Sequence, residues 1–132
     1  MSRYSKKSLE QLETCCKELQ EIFAEVIKIY DCTITEGHRN EKQQNELYKA
    51  NLSKVQFPNG NHNKIPSDAV DAYPCLKGLG VSYDANDCSF MAGVVFVTAE
   101  RLGYKIRWGG IWDNNSIKTN RFKDMGHYEI IR

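Results

Sequence analysis

A chain of 132 residues in which helical periodicity and short β-branched runs take turns belongs to the α+β class, with helices packed on a small antiparallel sheet. Three observations carry this reading. Apolar residues at gaps of three and four open the chain, a long apolar run from Phe90 to Leu102 lies in its second half, and short alternating segments with long loops fall around them. The length suits one domain with a real core, a helix over about 8–30 followed by a body over about 32–131.

From Ser8 to Tyr30, the residues Leu9, Leu12, Cys16, Leu19, Phe23, Val26 and Tyr30 share one helical face, so a single helix is predicted, packing that stripe on a sheet. Ser8 with Gln11 reads as its capping box, and Lys17, Glu18 and Glu25 as its solvated face. Cys32 to Thr35 alternates and is β-branched, a first strand ending at Glu36-Gly37. Asn40 caps a short helix reaching about Ala50. Pro58, Gly60 and Pro66 mark a loop up to Ser67, and Ala69 to Tyr73 reads as a second strand stopped by Pro74. Positions 75–88 look irregular. Phe90 to Leu102 is apolar nearly all round, which predicts a buried helix in the middle of the fold, closed by Gly103. Tyr104 to Trp108 is a third strand, Gly109 to Lys123 a long Asn-rich loop, and His127 to Ile131 the last strand.

Charge and cysteines exclude several classes. With 18 Lys and Arg against 17 Asp and Glu, the chain lacks the basic footprint of a nucleic-acid or anionic-membrane binder. Met1 to Lys7 leads into Glu10, Glu13 and Glu18 rather than an apolar run, so neither a signal peptide nor a membrane span is expected, and synthesis in a cytoplasm is. The five cysteines include no C-x-x-C pair, which argues for free, mostly buried thiols.

The chemistry concentrates near the strand ends. All three histidines, His38, His62 and His127, fall at the edge of a strand or in the loop before one. Alternation in Ala69-Val70-Asp71-Ala72-Tyr73 turns Asp71 away from Val70, and Pro66 restrains the loop by which His62 returns toward it. Asp124-Met125-Gly126-His127-Tyr128-Glu129 adds a histidine and two carboxylates. Two imidazoles and one carboxylate are a common zinc set for hydrolysis. Such a site also needs a base, for which Asp124 and Glu129 are both candidates, and a cation near the developing oxyanion, for which Arg39 is one.

Four segments carry a likeness to a known family. These are Thr35-Glu36-Gly37-His38-Arg39 with the following Gln43 or Gln44 and Leu47-Tyr48; Ser53-Lys54-Val55 through His62-Asn63 to Pro66-Ser67-Asp68-Ala69-Val70-Asp71; Trp108-Gly109-Gly110; and Asp124-Met125-Gly126-His127-Tyr128-Glu129. Together with Phe90, Ala92-Gly93 and Leu102-Gly103, they make the chain resemble, over roughly residues 32–131, the D-Ala-D-Ala carboxypeptidase and L-alanyl-D-glutamate endopeptidase family of zinc peptidases, especially its small phage endolysin-like members. The resemblance implies the hedgehog/DD-peptidase fold and a single zinc peptidase domain. It implies His62, Asp71 and His127 as Zn2+ ligands, Asp124 as general base and Arg39 as a substrate contact. Glu129 then becomes a supporting residue.

The function so implied is hydrolysis of peptidoglycan stem peptides, with L-Ala-D-Glu endopeptidase activity expected first. A D-Ala-D-Ala carboxypeptidase or dipeptidase is the near alternative, and a non-catalytic zinc-containing wall-binding module the distant one. A monomer is expected, made in the host cytoplasm, acting at the cell wall or periplasm, and needing a holin-like pore former for access. His38 and the tryptophans read more simply as packing residues or cleft walls.

Overall fold

The opening periodicity belongs to two helices rather than one. The computed structural model describes residues 2–120 and 123–132; positions 121 and 122 of the expected Gly109 to Lys123 loop lie outside the described residues. Helix α1 spans Lys6–Leu12 and α2 spans Lys17–Ile29. The break falls where the loop before the second strand captures the backbone: the Ser67 amide donates to the Thr14 carbonyl at 2.9 Å, and the Cys16 amide to the Ser67 carbonyl at 2.8 Å. Thr and Cys are weak helix formers, so these long-range bonds win over helix propagation. The apolar spacing crosses the break because Leu12 and Leu19 are both buried on either side of it.

The expected cap shifts as well. Ser5 caps α1 by accepting from the Ser8 amide at 3.1 Å, which leaves the Ser8 hydroxyl free to accept from the Ile34 amide and contact Thr33 on the first strand. Gln11 reaches outward from the helix, its Oε1 accepting from the Gly37 amide at 3.0 Å.

Strand β1 is Cys32–Glu36, α3 is Glu41–Lys49, β2 is Ala69–Leu76 and β3 is Gly80–Val81. Helix α4 covers Ala85–Leu102, β4 Lys105–Trp108 and β5 His127–Ile131. The sheet runs β1-β2-β5-β4, antiparallel throughout, with β3 paired to the far end of β2. The small antiparallel sheet of an α+β domain is therefore present, with the short β3 hairpin added in the segment read as irregular.

Pro74 does not stop β2. Register pairs it with Cys32, and the next residue, Cys75, donates its amide to the Asp31 carbonyl at 3.0 Å on the β1 side. Successive amides point to opposite edges, so the missing N–H of Pro74 faces the edge that β5 has already left after Asp71.

Helix α4 starts at Ala85 on an Asp84 cap and ends at a left-handed Gly103. It is not buried all round. Cys88, Met91, Ala92, Val95 and Ala99 are buried, whereas Phe90 and Val97 are 64% and 53% exposed. The core lies between this inner face, the face of α2 carrying Leu19, Ile22, Phe23 and Val26, and the sheet residues Val70, Ala72, Tyr128 and Ile130. Phe23 meets the Tyr128 ring edge-on with centroids 5.6 Å apart. Packing one face of β2 and β5 against these helices leaves the opposite face, with Asp71 and His127, to open toward the loops.

Candidate metal centre

Register brings two of the candidate ligands together before any loop is considered, because Asp71 on β2 pairs directly with His127 on β5. The third arrives by a turn: Asn61–Asn63 forms one 3-10 turn, with the Asn63 amide on the Gly60 carbonyl and the Asp68 amide on the Asn61 carbonyl. That turn closes the nine-position interval between His62 and Asp71. The Arg39 amide donates to the His62 carbonyl at 2.7 Å, stitching the turn to the end of β1.

Three inner atoms converge. His62 Nε2 lies 3.2 Å from Asp71 Oδ1 and 3.2 Å from His127 Nδ1, and His127 Nδ1 lies 3.4 Å from Asp71 Oδ1. A tetrahedral ion with ligand bonds of about 2.0–2.2 Å holds its ligand atoms about 3.3–3.6 Å apart, so these spacings match three corners of its shell. The outer ring atoms set the tautomers. His62 Nδ1 donates to the Gly37 carbonyl at 2.7 Å, and His127 Nε2 donates to Glu129 Oε1 at 2.7 Å, which presents both inner nitrogens as acceptors. Three acceptors facing one another without a donor call for a cation, and among the described residues this is the group of side chains that can hold a metal ion.

The electrostatics report the same demand. Burial would raise the Asp71 carboxyl, but hydrogen bonds from His127 and His62 outweigh it and hold the group well below the usual carboxylate range. Burial lowers His127, yet Asp71 and Glu129 overcome it and push its pKa up to about 9.

Asp124 stands next to the triad, its Oδ2 4.0 Å from His127 Nδ1. The Trp108-Gly109-Gly110 corner holds it there. The Asp124 amide donates to the Gly109 carbonyl at 2.9 Å, the Gly109 amide to the His127 carbonyl at 2.8 Å, and Trp108 Nε1 to the Met125 carbonyl at 2.8 Å. Gly126 lies against the Tyr73 ring, so a Cβ at this turn would require that ring to move. Burial, then the negative charge of Asp71, raises the Asp124 carboxyl above its ordinary value.

Arg39 is buried, and its guanidinium is largely committed. Nε and Nη2 bind both oxygens of Glu36 at 2.8 and 3.0 Å, Nη1 binds Gln44 Oε1 at 2.9 Å, and Nη2 lies 3.8 Å from Asp71 Oδ2. His38 is outside the metal-binding group, its amide bound to Thr14 Oγ1. Glu129 supports His127 and accepts from Asn61 Nδ2 at 2.9 Å on its other oxygen. Gly37, through its carbonyl, and Asn61 were not singled out as site residues from the sequence; only their positions, two before Arg39 and next to His62, pointed that way. Trp108 is core, whereas Trp112 is a wall of the cleft, 5.2 Å from the His127 ring. That cleft, about 310 Å³, is lined by His62, His127, Asp124, Arg39 and Trp112.

A family model described as phage L-alanyl-D-glutamate peptidase matches residues 1–131. The chain belongs to this family. As an L-alanyl-D-glutamate peptidase it acts on peptidoglycan, and the endopeptidase reading takes precedence over the carboxypeptidase one. No curated protein matches the chain. Among solved structures, the crystal structure of Serratia marcescens L-Ala D-Glu endopeptidase ChiX is similar to it. At 22% identity the match covers 98% of this chain and 90% of that one with a TM-score of 0.79, so the two share a fold. Among the described residues, no helix of this peptidase is long and apolar enough to cross a membrane.

Proposed function

We propose that this phage-family peptidase is a zinc enzyme of one domain whose metal ligands are His62, Asp71 and His127, with Asp124 as general base and Arg39 facing the substrate carbonyl. The observation that carries the reading is the convergence of three acceptor atoms at 3.2 to 3.4 Å, with the outer nitrogens of both imidazoles already hydrogen-bonded. Nitrogen and oxygen donors in this number suit zinc and leave a position open for chemistry.

Zinc held there supplies a Lewis acid that polarises the carbonyl and makes water nucleophilic near neutral pH. Asp124, 4.0 Å from His127 and raised by burial, accepts a proton from the attacking water on its carboxylate and returns it to the departing amine of D-glutamate. Arg39 keeps one N–H on each of Nη1 and Nη2 beyond its Glu36 and Gln44 bonds, and these stabilise negative charge growing on the carbonyl oxygen. Glu129 and the Gly37 carbonyl keep the two imidazoles aimed. The enzyme works as a monomer at the wall or periplasm after synthesis in the host cytoplasm, reaching it through a holin-like pore.

Digestion of purified muropeptides with zinc, and with zinc plus chelator, tests this by mass spectrometry. Products split after L-Ala, abolished by chelator, are expected. Asp124→Asn is expected to keep stoichiometric zinc and to lose about 10²- to 10⁴-fold in turnover, whereas His62→Ala and His127→Ala lose both. Release of free D-Ala, or full turnover by Asp124→Asn, would overturn the assignment.

A further inference from the structure

The cleft carries a second guanidinium that the mechanism does not use. Arg107 lies on β4 opposite Glu129 of β5, is exposed, and lines the same cavity as His127 and Asp124. Its guanidinium carbon sits 5.1 Å over the Trp112 ring, and Nη2 donates to the Trp112 carbonyl at 3.4 Å. Among the described residues no carboxylate stands within ion-pair distance of it. The nearest candidate by register, Glu129, already spends one oxygen on His127 and the other on Asn61. Arg39 is the reverse case, buried and bound in a fork by Glu36.

A substrate cut between L-alanine and D-glutamate brings an anion into this cleft. The D-glutamyl residue has two carboxyl groups, of which the peptide chain uses one and leaves the other ionised on the leaving side of the scissile amide. A planar fork of N–H donors pairs with a carboxylate through two parallel bonds, and stacking on an indole holds that fork in place before the substrate arrives.

We propose that Arg107, held on Trp112, binds the free D-glutamyl carboxylate and sets the preference of the enzyme for an acidic residue after the cleaved bond. The proposal rests on the peptidase reading and adds to it a specificity residue in the cleft that Arg39 also lines. Trp112 joins this wall to the metal centre, since its ring also packs on His127. The carboxylate is thereby recognised at the same wall that steadies a proposed ligand.

Two synthetic stem peptides test it, one with the D-glutamyl carboxylate free and one with that group amidated. The zinc-loaded enzyme is expected to favour the free acid. Arg107→Gln is expected to raise KM for the acid peptide by about 10- to 100-fold, the weight of a hydrogen bond to a charged group, while kcat and the amidated peptide change little. Arg107→Lys should recover part of the loss. Calorimetric binding of the acid peptide to Asp124→Asn, with and without Arg107→Gln, reads the same contact without turnover. An equal loss on both peptides, or acid-peptide binding that ignores Arg107, overturns the proposal and leaves the peptidase assignment standing. A failure of cleavage with Arg107-dependent binding intact would do the opposite.

Discussion

Replacing Gly37 by alanine strikes both the frame of the protein and its proposed metal centre. A Cβ there would overlap the Gln11 carbonyl oxygen and Thr14 Oγ1 and lie 3.0 Å from Cys15 Sγ. Backbone forms part of that wall, and Thr14 Oγ1 is itself tied to the Gln11 carbonyl and the His38 amide, so no flexible side-chain end can swing aside. The loop would retreat by roughly 1 Å to restore ordinary contact, an overpacking cost of about 1–3 kcal/mol. The same movement stretches three hydrogen bonds, Gly37 amide to Gln11, His38 amide to Thr14, and His62 Nδ1 to the Gly37 carbonyl. Weakening the two structural ones adds about 1 kcal/mol, and the total lowers the melting temperature by about 6–15 °C for a domain of this size. Losing the carbonyl that aims His62 is expected to weaken zinc by about 10- to 100-fold. Calorimetry and a competitive chelator titration measure the two effects. A variant that melts within a degree of the parent with unchanged zinc affinity would refute the idea that the N-terminal segment braces the metal centre.

Glu129→Gln keeps an acceptor for His127 Nε2 but removes the charge, and a loss in zinc affinity of about tenfold is expected by chelator titration, with Glu129→Ala losing more. Phe23→Ala empties a fully buried site against Tyr128 and is expected to cost about 3–5 kcal/mol in a denaturant titration. Arg132→Ala tests a charge linkage at Asp68. Burial pushes that carboxyl up, but Arg132 at 2.8 Å and Lys64 at 3.3 Å outweigh it and hold it below its ordinary value. A carboxyl lower in the folded than in the unfolded state adds stability above the unfolded pKa of about 3.9 and loses it as pH falls through the folded one. The variant should therefore be less stable by up to about 1 kcal/mol at neutral pH, with the gap closing as pH falls below the unfolded pKa and through the folded one. A gap that stays constant across that range would rule out Asp68 as its source.

The grouping of the candidate ligands was partly legible because strand alternation is a strong local rule. With Val70 in the core, Asp71 had to face away from it, and the short C-terminal strand placed His127 at an end where it pairs with Asp71. What stayed hidden depends on partners far along the chain. Nothing between Leu9 and Tyr30 shows that Ser67 will take the Cys16 amide and break the helix. The apolar run in α4 gives no clue to which side meets α2, so Phe90 and Val97 read as core and lie outside. Pro74 reads as a stop because the sequence does not reveal that β5 has ended on the edge where its amide would be needed. The fork on Arg39 also stayed hidden, because nothing in the sequence shows that Glu36, three positions earlier at the end of β1, folds back onto its guanidinium.

The hidden break also ties the N-terminal segment, which the family match includes, to the catalytic segments that begin near residue 32. Thr14 and Cys16 bind the backbone of Ser67, and Ser67 sits inside the loop that joins His62 to Asp71. Its hydroxyl donates to the Ala69 carbonyl at 2.6 Å and reaches the Gly37 carbonyl at 3.4 Å, the same oxygen that orients His62. A continuous helix over 8–30 would withdraw both amide and carbonyl partners from Ser67 and leave a buried loop with unpaired backbone groups. The interruption between α1 and α2 is thus the feature that lets a nine-position loop hold its two proposed ligands within 3.2 Å of each other.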